Sequence, residues 1–374
     1  MAASIGPTGH RVVVTEYGET PLDALDHFVR LEVQPAPEPA TLAETDVVLR
    51  VHTCAVGWVD LLMMSGQYQH MVAPPYTPGL EFAGEVAWTG AAVERVAVGD
   101  RVLADGFSAG PRSSGPHQRY GGFSTWVVIP EHAAIPAPPP LSLDQCVNLL
   151  GNYETAYHAL VDRGGVKEGD VVVIHGASGS TGLAGVQLAK LLGATVIATG
   201  RSPEKLEQVR ALGADHTVRT VDDDGTLRRF RTDIKALTDG RGADIVWDGV
   251  GGDISIESLR CLRFGGKLCI VGWAATPFVA RGKGKRGAPR ANQLPTNIIQ
   301  MKGLDVLGCP AVIATKHDPT LRPRRLEWIF DRVTAGDIVP HVGPAFSLSE
   351  WSDALRHKWR SGSVGGCVLH PASV

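Results

Sequence analysis

The chain has 374 residues, 44% of them hydrophobic and 20% charged, with a formal net charge of −3 at pH 7. That length allows two domains with separate cores, and the charge argues against a nucleic-acid partner, because such proteins usually carry a basic excess. Apolar runs stay below the roughly 18 residues of a membrane span, and residues 1–11 lack the apolar core of a signal peptide, so we expect a cytoplasmic protein.

The first part of the chain consists of short β-branched runs separated by turns. These runs cover residues 47–51, 82–87, 101–104 and 124–129. Their spacing predicts a β-barrel or a partly open β-domain. Four prolines within residues 136–140 suggest that this region ends there.

In the second part, short apolar runs alternate with segments of helical character. The runs cover 171–174, 195–199, 244–247 and 267–271, and the helical segments cover 182–192, 203–212 and 255–263. This alternation predicts right-handed βαβ units and a parallel sheet covered on both faces. Residues 325–334 predict a further helix with Leu326, Ile329, Phe330 and Val333 on one side, and 338–346 and 367–369 predict strands.

A glycine-rich turn follows the first of these runs directly. Gly176, Gly179 and Gly182 follow the spacing G-x-x-G-x-x-G and lead into a helix of small and apolar residues. Glycines at such a turn let a pyrophosphate approach the backbone and let the helix pack on the strand. The strand before and the helix after fit the dinucleotide-binding motif, so we predict a cofactor site at Ser178, Gly179, Ser180, Thr181 and Gly182.

The end of the next strand indicates which dinucleotide binds. NAD sites usually have an acidic residue there, which accepts hydrogen bonds from the ribose 2′-hydroxyl. Here the sequence from Thr199 to Lys205 offers Arg201, Ser202 and Lys205, whose charges and hydroxyl suit a 2′-phosphate. The segment thus favours NADPH, although Ser202 is also a good N-cap for a helix.

With these residues in view, the chain resembles the medium-chain dehydrogenase/reductase superfamily over nearly its whole length. The shared landmarks are residues 78–86, 98–102, 176–182, 187–190, 212–215 and 266–272. The resemblance implies an α/β fold in which a GroES-like β-barrel domain, residues 1–148 and 340–374, is joined to a Rossmann domain with a doubly wound parallel sheet, residues 149–339.

The zinc-binding positions of the superfamily distinguish its branches. The ligands of the zinc-dependent alcohol dehydrogenases fall at Gly57, Leu80 and Asn152, and residues 104–122 contain none of the cysteines of the structural-zinc lobe. Glycine and leucine side chains cannot coordinate zinc, so we expect no metal. The six scattered cysteines are predicted to be buried thiols.

The resemblance is therefore to the zinc-free quinone reductases and enoyl reductases. It implies an enzyme that transfers hydride from NADPH to a quinone or to an α,β-unsaturated carbonyl compound (an enone, an enal or an enoyl thioester). The quinone-reductase pattern usually has Asn where Gly57 stands. A cofactor-binding regulatory or structural protein with little catalysis is therefore the alternative.

The same resemblance suggests site residues. Tyr68 matches an active-site tyrosine of enoyl-thioester reductases and would donate a hydrogen bond to the enolate, or it only shapes the rim of the pocket. Asp60 matches a shared acidic position whose role is catalytic or, more simply, structural. The remaining candidates are Trp58, Met64 and Tyr153 for the acceptor pocket and Thr155, Val250, Gly272 and Trp273 for the cofactor.

Two further segments carry expectations about partners. Residues 281–290 form a basic, glycine-rich insertion that is either a solvated loop or an attractor for an anionic acceptor such as an acyl-CoA. Residues 304–308 correspond to the edge strand through which relatives pair, so we expect a homodimer.

Overall fold

The computed structural model describes residues 5–68, 70–275 and 292–372. Within them the chain divides into two compact units. The first runs up to Leu150 and resumes at Val342, and the second begins at Gly151 and ends at His341. None of the described helices is long and apolar enough to cross a bilayer.

The described residues form fifteen strands and twelve α-helices. The strands are β1 Gly9–Val14, β2 Val29–Gln34, β3 Asp46–Ala55, β4 Phe82–Thr89, β5 Arg101–Ala104, β6 Trp126–Pro130, β7 Ala134–Pro136, β8 Val171–His175, β9 Thr195–Gly200, β10 His216–Arg219, β11 Ala243–Asp248, β12 Leu262–Ile270, β13 Asp305–Gly308, β14 Ala345–Ser347 and β15 Val368–His370. The α-helices are α1 Pro21–His27, α2 Trp58–Met64, α3 Leu143–Cys146, α4 Leu150–Tyr157, α5 Ser180–Leu191, α6 Pro203–Ala211, α7 Arg231–Ala236, α8 Asp253–Cys261, α9 Thr296–Lys302, α10 Ala311–His317, α11 Leu321–Thr334 and α12 Trp351–Trp359. A π-helical segment, His158–Gly164, continues α4.

The first unit is built on a mostly antiparallel seven-stranded sheet. Its order is β14-β15-β3-β4-β5-β7, with β6 also paired to β3, and β1 and β2 form a separate ribbon. The long strand β3 therefore serves as the centre, and its Val47, Leu49 and Val51 lie in the core. This is the GroES-like β-domain that the sequence predicts.

The predicted strand over 338–346 is wrong except at its end, because β14 begins only at Ala345. Pro340 and Pro344 lack the N–H that a strand ladder needs. A Cβ built on Gly343 would lie 1.8 Å from the Gly366 carbonyl oxygen, so the backbone here packs against backbone instead of pairing in a ladder.

The second unit is a six-stranded parallel sheet with helices on its faces. Its strand order is β10-β9-β8-β11-β12-β13, which is the doubly wound Rossmann order. Both faces of β11 are buried, as a parallel sheet covered on both sides requires. The chain order reverses between β8 and β11, and ligands of such sheets bind outside the carboxyl ends of the strands at that switch point.

Candidate active site

The glycine-rich turn lies at the carboxyl end of β8, beside the switch point. Gly176 has φ of +65°, and its carbonyl oxygen accepts a hydrogen bond from Gly179 N–H at 3.0 Å. A Cβ built on Gly182 would lie 2.3 Å from that same oxygen. A side chain at Gly182 would fill this turn, so the turn needs glycine there. We call the turn formed by residues 176–182 the glycine cradle. The first N–H groups of α5 have no partner within the helix itself, and such a helix end can bind an anion.

Residues of α4 form hydrogen bonds with the helix that follows the glycine turn. Asn152 Oδ1 accepts a hydrogen bond from the Thr181 hydroxyl at 2.8 Å, so the residue at a zinc-ligand position holds the glycine turn instead. The Tyr153 hydroxyl donates to Gln187 Oε1 at 2.6 Å, and burial raises the pKa of this phenol. Thr155 is half-buried and donates to the Gly151 carbonyl of its own helix at 2.7 Å.

Basic residues gather at the carboxyl end of β9. Arg201 is exposed, and Ser202 is the N-cap of α6, where its Oγ accepts from Lys205 N–H at 3.2 Å and donates to Glu204 at 2.7 Å. Arg219 lies on β10 opposite Gly200, and its Nε donates to the Arg201 carbonyl at 3.2 Å. The sequence pattern gave Arg219 no role, because only the pairing of β10 with β9 brings it here.

A buried carboxylate organises the next loop at the same edge of the sheet. Asp248 is fully buried at the end of β11, and its Oδ1 accepts the N–H groups of Val250 and Gly251, each at 2.9 Å. A Cβ built on Gly251 would lie 2.8 Å from the Trp273 Cβ. Gly272 N–H donates to the Asp248 carbonyl at 3.2 Å. The predicted residues Val250, Gly272 and Trp273 therefore lie together, with Trp273 48% exposed.

In the first unit, Asp60 ties two loops together. It lies in the first turn of α2, where its Oδ2 accepts Gly57 N–H at 3.0 Å and its Oδ1 accepts Gly79 N–H at 2.9 Å. Because Asp60 is only 2% exposed, burial raises the pKa of this carboxyl to about 6 despite both hydrogen bonds. This geometry gives Asp60 a clear structural function.

Besides burial, the charges of a buried ion pair that the sequence did not reveal shift the pKa of Tyr68. Arg112 Nη2 is 2.6 Å from Glu81 Oε1, and both side chains are largely buried. The half-buried Tyr68 ring contacts the His70 ring edge-on, with the ring centroids 5.8 Å apart. Burial raises the pKa of Tyr68, while the positive charge of Arg112 opposes that rise. The phenol is therefore protonated at neutral pH and able to donate a hydrogen bond.

The other predicted acceptor residues of this unit have different environments. Trp58 is half-buried and stacks on Trp359, with ring centroids 5.2 Å apart and planes 5° from parallel. Met64 is fully buried in the hydrophobic core. Gly57 and Leu80 carry no ligating atoms, and across residues 5–68, 70–275 and 292–372 no three His, Cys, Asp or Glu side chains are grouped as a metal ion would require. All six cysteines are buried free thiols, as predicted.

Of the two segments with expected roles in partner binding, the structure describes one. Residues 281–290 lie outside the described residues. The segment 304–308 contains β13, which pairs with β12 and is the last strand at that side of the parallel sheet.

Replacement of Asp60 by Asn should change how stability depends on pH. A carboxyl whose pKa rises from 3.8 to about 6 on folding stabilises the native state below pH 4 and loses that contribution as the pH rises to 6. Relative to wild type, the variant should therefore gain up to about 3 kcal/mol between pH 4 and pH 7. Urea denaturation at several pH values measures this, and a pH-independent difference between the two proteins would contradict it.

Comparison with known proteins agrees with this architecture. The family model described as "Alcohol dehydrogenase GroES-like domain" matches residues 43–139, and the model described as "Zinc-binding dehydrogenase" matches residues 180–311. A Quinone oxidoreductase-like protein 2 homolog of Nematostella vectensis is 30% identical over 370 residues, which is 97% of this chain and 90% of that protein. Quinone oxidoreductase-like protein 2 of Bos taurus is 30% identical over 340 residues, covering 90% of this chain and 87% of that protein.

Solved structures of other proteins are similar to this chain over nearly its whole length. The quinone oxidoreductase of Thermus thermophilus, known alone and with NADPH, superposes with a TM-score of 0.73 at 27% identity and covers 96% of this chain and 99% of its own. A mycobacterial protein complexed with NADPH superposes with a TM-score of 0.76 at 25% identity, covering 97% and 100%. The chain therefore belongs to the medium-chain dehydrogenase/reductase superfamily of oxidoreductases, in its zinc-free, quinone oxidoreductase-like branch.

Proposed function

We propose that this protein is an NADPH-dependent reductase of quinones or of α,β-unsaturated carbonyl compounds. The observation that carries the proposal is the glycine cradle at the switch point of the Rossmann sheet, with a cluster of basic residues at the end of the neighbouring strand. The NADPH complexes of the Thermus and mycobacterial relatives support it.

The cradle fits a dinucleotide. Its pyrophosphate would lie against Ser178 and Gly179 of the turn and on the N–H groups of Ser180, Thr181 and Gly182 at the start of α5. Arg201, Ser202 and Lys205 would hold the 2′-phosphate. Arg219, which is paired with Asp223 at 2.6 Å, lies on the neighbouring strand beside them. Thr155, Val250, Gly272 and Trp273 would line the remainder of the cofactor. Bound NADPH supplies the hydride, that is, one hydrogen with two electrons.

The first unit would bind the acceptor. A conjugated carbonyl or a quinone accepts hydride while negative charge develops on an oxygen, so a hydrogen-bond donor at that oxygen replaces a metal ion. The protonated Tyr68 is that donor in our proposal, and Trp58 contributes an aromatic surface to the same unit. Asp60 keeps the Gly57 loop in place and has no direct part in the chemistry.

Arg201→Ala should weaken NADPH binding about 10- to 100-fold and leave NADH binding nearly unchanged. The reason is that a hydrogen bond to a charged group contributes about 1.5–3 kcal/mol and only NADPH carries the 2′-phosphate. Fluorescence titration of both nucleotides measures the effect. Arg210→Ala, a change at an exposed arginine near the far end of the helix that follows Arg201, is the control. Equal weakening of NADPH and NADH would refute the phosphate assignment.

A panel of acceptors tests the proposed activity. Oxidation of NADPH is followed at 340 nm with quinones, enones, enals and enoyl-CoAs, and with saturated ketones as controls. We expect turnover with at least one conjugated class and none with saturated ketones. Tight NADPH binding without turnover of any acceptor would favour the alternative function, a cofactor-binding protein with little catalysis. That alternative is based on Gly57, which stands where quinone reductases usually have Asn.

We also propose a homodimer formed through β13. The outer edge of β13 has no further strand among the described residues, and an edge strand presents N–H and C=O groups that a second copy can pair. Sedimentation of the pure protein tests this proposal, and a strictly monomeric protein at micromolar concentration would contradict it.

A further inference from the structure

A buried histidine connects three elements at the carboxyl edge of the parallel sheet. His175 is the last residue of β8, directly before the glycine cradle, and only 2% of it is exposed. Its Nδ1 lies 2.6 Å from the Thr199 hydroxyl oxygen, and its Nε2 lies 2.7 Å from the Ser258 hydroxyl oxygen. The ring also lies edge-on to Phe230, with the ring centroids 5.4 Å apart. Because Thr199 belongs to β9 and Ser258 to α8, one imidazole contacts both neighbouring elements.

The direction of each hydrogen bond in this network can be assigned. Burial lowers the pKa of His175 to about 4, although the negative charge of Asp248 opposes this shift. The ring is therefore neutral at pH 7, with one nitrogen as donor and the other as acceptor. The Ser258 hydroxyl donates to the Ile254 carbonyl at 2.6 Å, so its oxygen accepts from Nε2–H. Nδ1 must then accept from the Thr199 hydroxyl.

The helix α8 is held at the same edge by a second serine. Ser255 precedes Ser258 by three residues, so both lie on one face of the helix, and both are completely buried. The Ser255 hydroxyl donates to the carboxylate of Asp248, which organises the loop after β11. The position of that loop therefore depends on where α8 lies, and the contact with His175 helps to fix the helix.

The strands joined by His175 carry the two predicted phosphate sites. β8 leads into the glycine cradle, and β9 leads into residues 200–202. Ala177 N–H of the cradle donates to the Thr199 carbonyl at 3.3 Å, so backbone and side chain of Thr199 both bind to the β8 end. A shift of the β9 end would change the distance between the predicted pyrophosphate and 2′-phosphate contacts.

We infer that His175 is a positioning residue for NADPH, which holds the end of β9 at the distance from the glycine cradle that lets one nucleotide reach both phosphate sites. The inference rests on the proposed function. His175 acts through Thr199, because its own ring is buried beneath the edge of the sheet. NADH lacks the 2′-phosphate and therefore depends less on the end of β9.

Two substitutions of Thr199 test the inference. Thr199→Val keeps the size of the side chain and removes the hydroxyl, which leaves Nδ1 of His175 without its donor. We expect the Kd of NADPH to rise about tenfold and that of NADH no more than about threefold. Thr199→Ser keeps the hydroxyl and should bind both nucleotides as wild type does. Fluorescence titration measures both constants in each variant.

The same substitution at the opposite end of β9 is the matched control. Thr195→Val, at the first residue of the strand, should leave both constants as they are in wild type. In His175→Phe, which removes both ring nitrogens, the NADPH preference should fall as it does in Thr199→Val. Adding Thr199→Val to that variant should bring no further change in the ratio of the two constants.

The proposed function fails separately from this inference. The preference of wild type for NADPH over NADH tests the proposed cofactor, whereas the difference between Thr199→Val and Thr199→Ser tests the role of the network. A wild-type ratio of the two constants in Thr199→Val, or an equal rise of both, would overturn the inference. So would a Thr199→Ser protein that loses the NADPH preference to the same extent. The two Thr199 variants decide the question alone if His175→Phe does not fold.

Discussion

Replacement of Gly182 by alanine is expected to weaken NADPH binding about 100-fold or more. The added Cβ would lie 2.3 Å from the Gly176 carbonyl oxygen and 2.8 Å from the Ala177 Cα, both of which are backbone atoms that cannot rotate away. Overpacking of this kind costs about 1–3 kcal/mol, and relief of the clash would displace the N–H groups on which the pyrophosphate would lie. Fluorescence titration with NADPH measures the loss, and a thermal melt shows whether the fold survives.

The same helix offers a matched control for this change. A Cβ built on Gly185 meets only the side chains of Ile174 and Trp247, at 3.5 Å or more, which is an ordinary contact distance. Gly185→Ala should therefore bind NADPH as wild type does. Wild-type affinity in Gly182→Ala would show that the glycine turn is not the pyrophosphate site.

The second large effect is expected for Tyr68→Phe. Positioned proton donors typically contribute 100-fold or more to a rate, so loss of the hydroxyl should lower kcat about 100-fold. The ring remains, and the cofactor residues lie in the other unit, so the Kd for NADPH should change less than twofold. Steady-state kinetics with the best acceptor of the panel, together with a binding titration, separate the two quantities.

Tyr120→Phe is the control for this variant, because the Tyr120 hydroxyl accepts a hydrogen bond from the exposed Arg119 at 2.9 Å. It should turn over at the wild-type rate. If Tyr68→Phe also keeps its kcat, Tyr68 is an aromatic at the rim of the pocket and donates no hydrogen bond in the transition state.

The sequence predicted those features that depend on residues close together in the chain. The strand from Val171, the glycine turn and the helix after it form one continuous motif, and the Ser202 N-cap needs only the residues that follow it. The alternation of short apolar runs with helices was also enough to predict the parallel sheet, because a buried parallel strand leaves a distinct pattern.

Features made by distant residues were not predictable in this way. Arg112 and Glu81 are 31 positions apart, and nothing in either local segment indicates a pair. On α11 the predicted apolar face omitted Arg325, which the structure buries completely beside Asp162, 3.1 Å away, and Glu154, 3.6 Å away. An arginine in an amphipathic pattern is normally placed at the surface. Only the fold supplies the carboxylates that make its burial possible.

We propose that this protein reduces conjugated carbonyl acceptors with NADPH and without a metal ion. The most direct test is a single-turnover experiment in which the protein with bound NADPH is mixed rapidly with a quinone or an enone in the presence of a chelator. We predict that the NADPH fluorescence disappears with one nucleotide oxidised per molecule of acceptor reduced, at a rate that the chelator does not change. Persistence of the fluorescence with every conjugated acceptor, or a reaction that requires added zinc, would contradict this proposal.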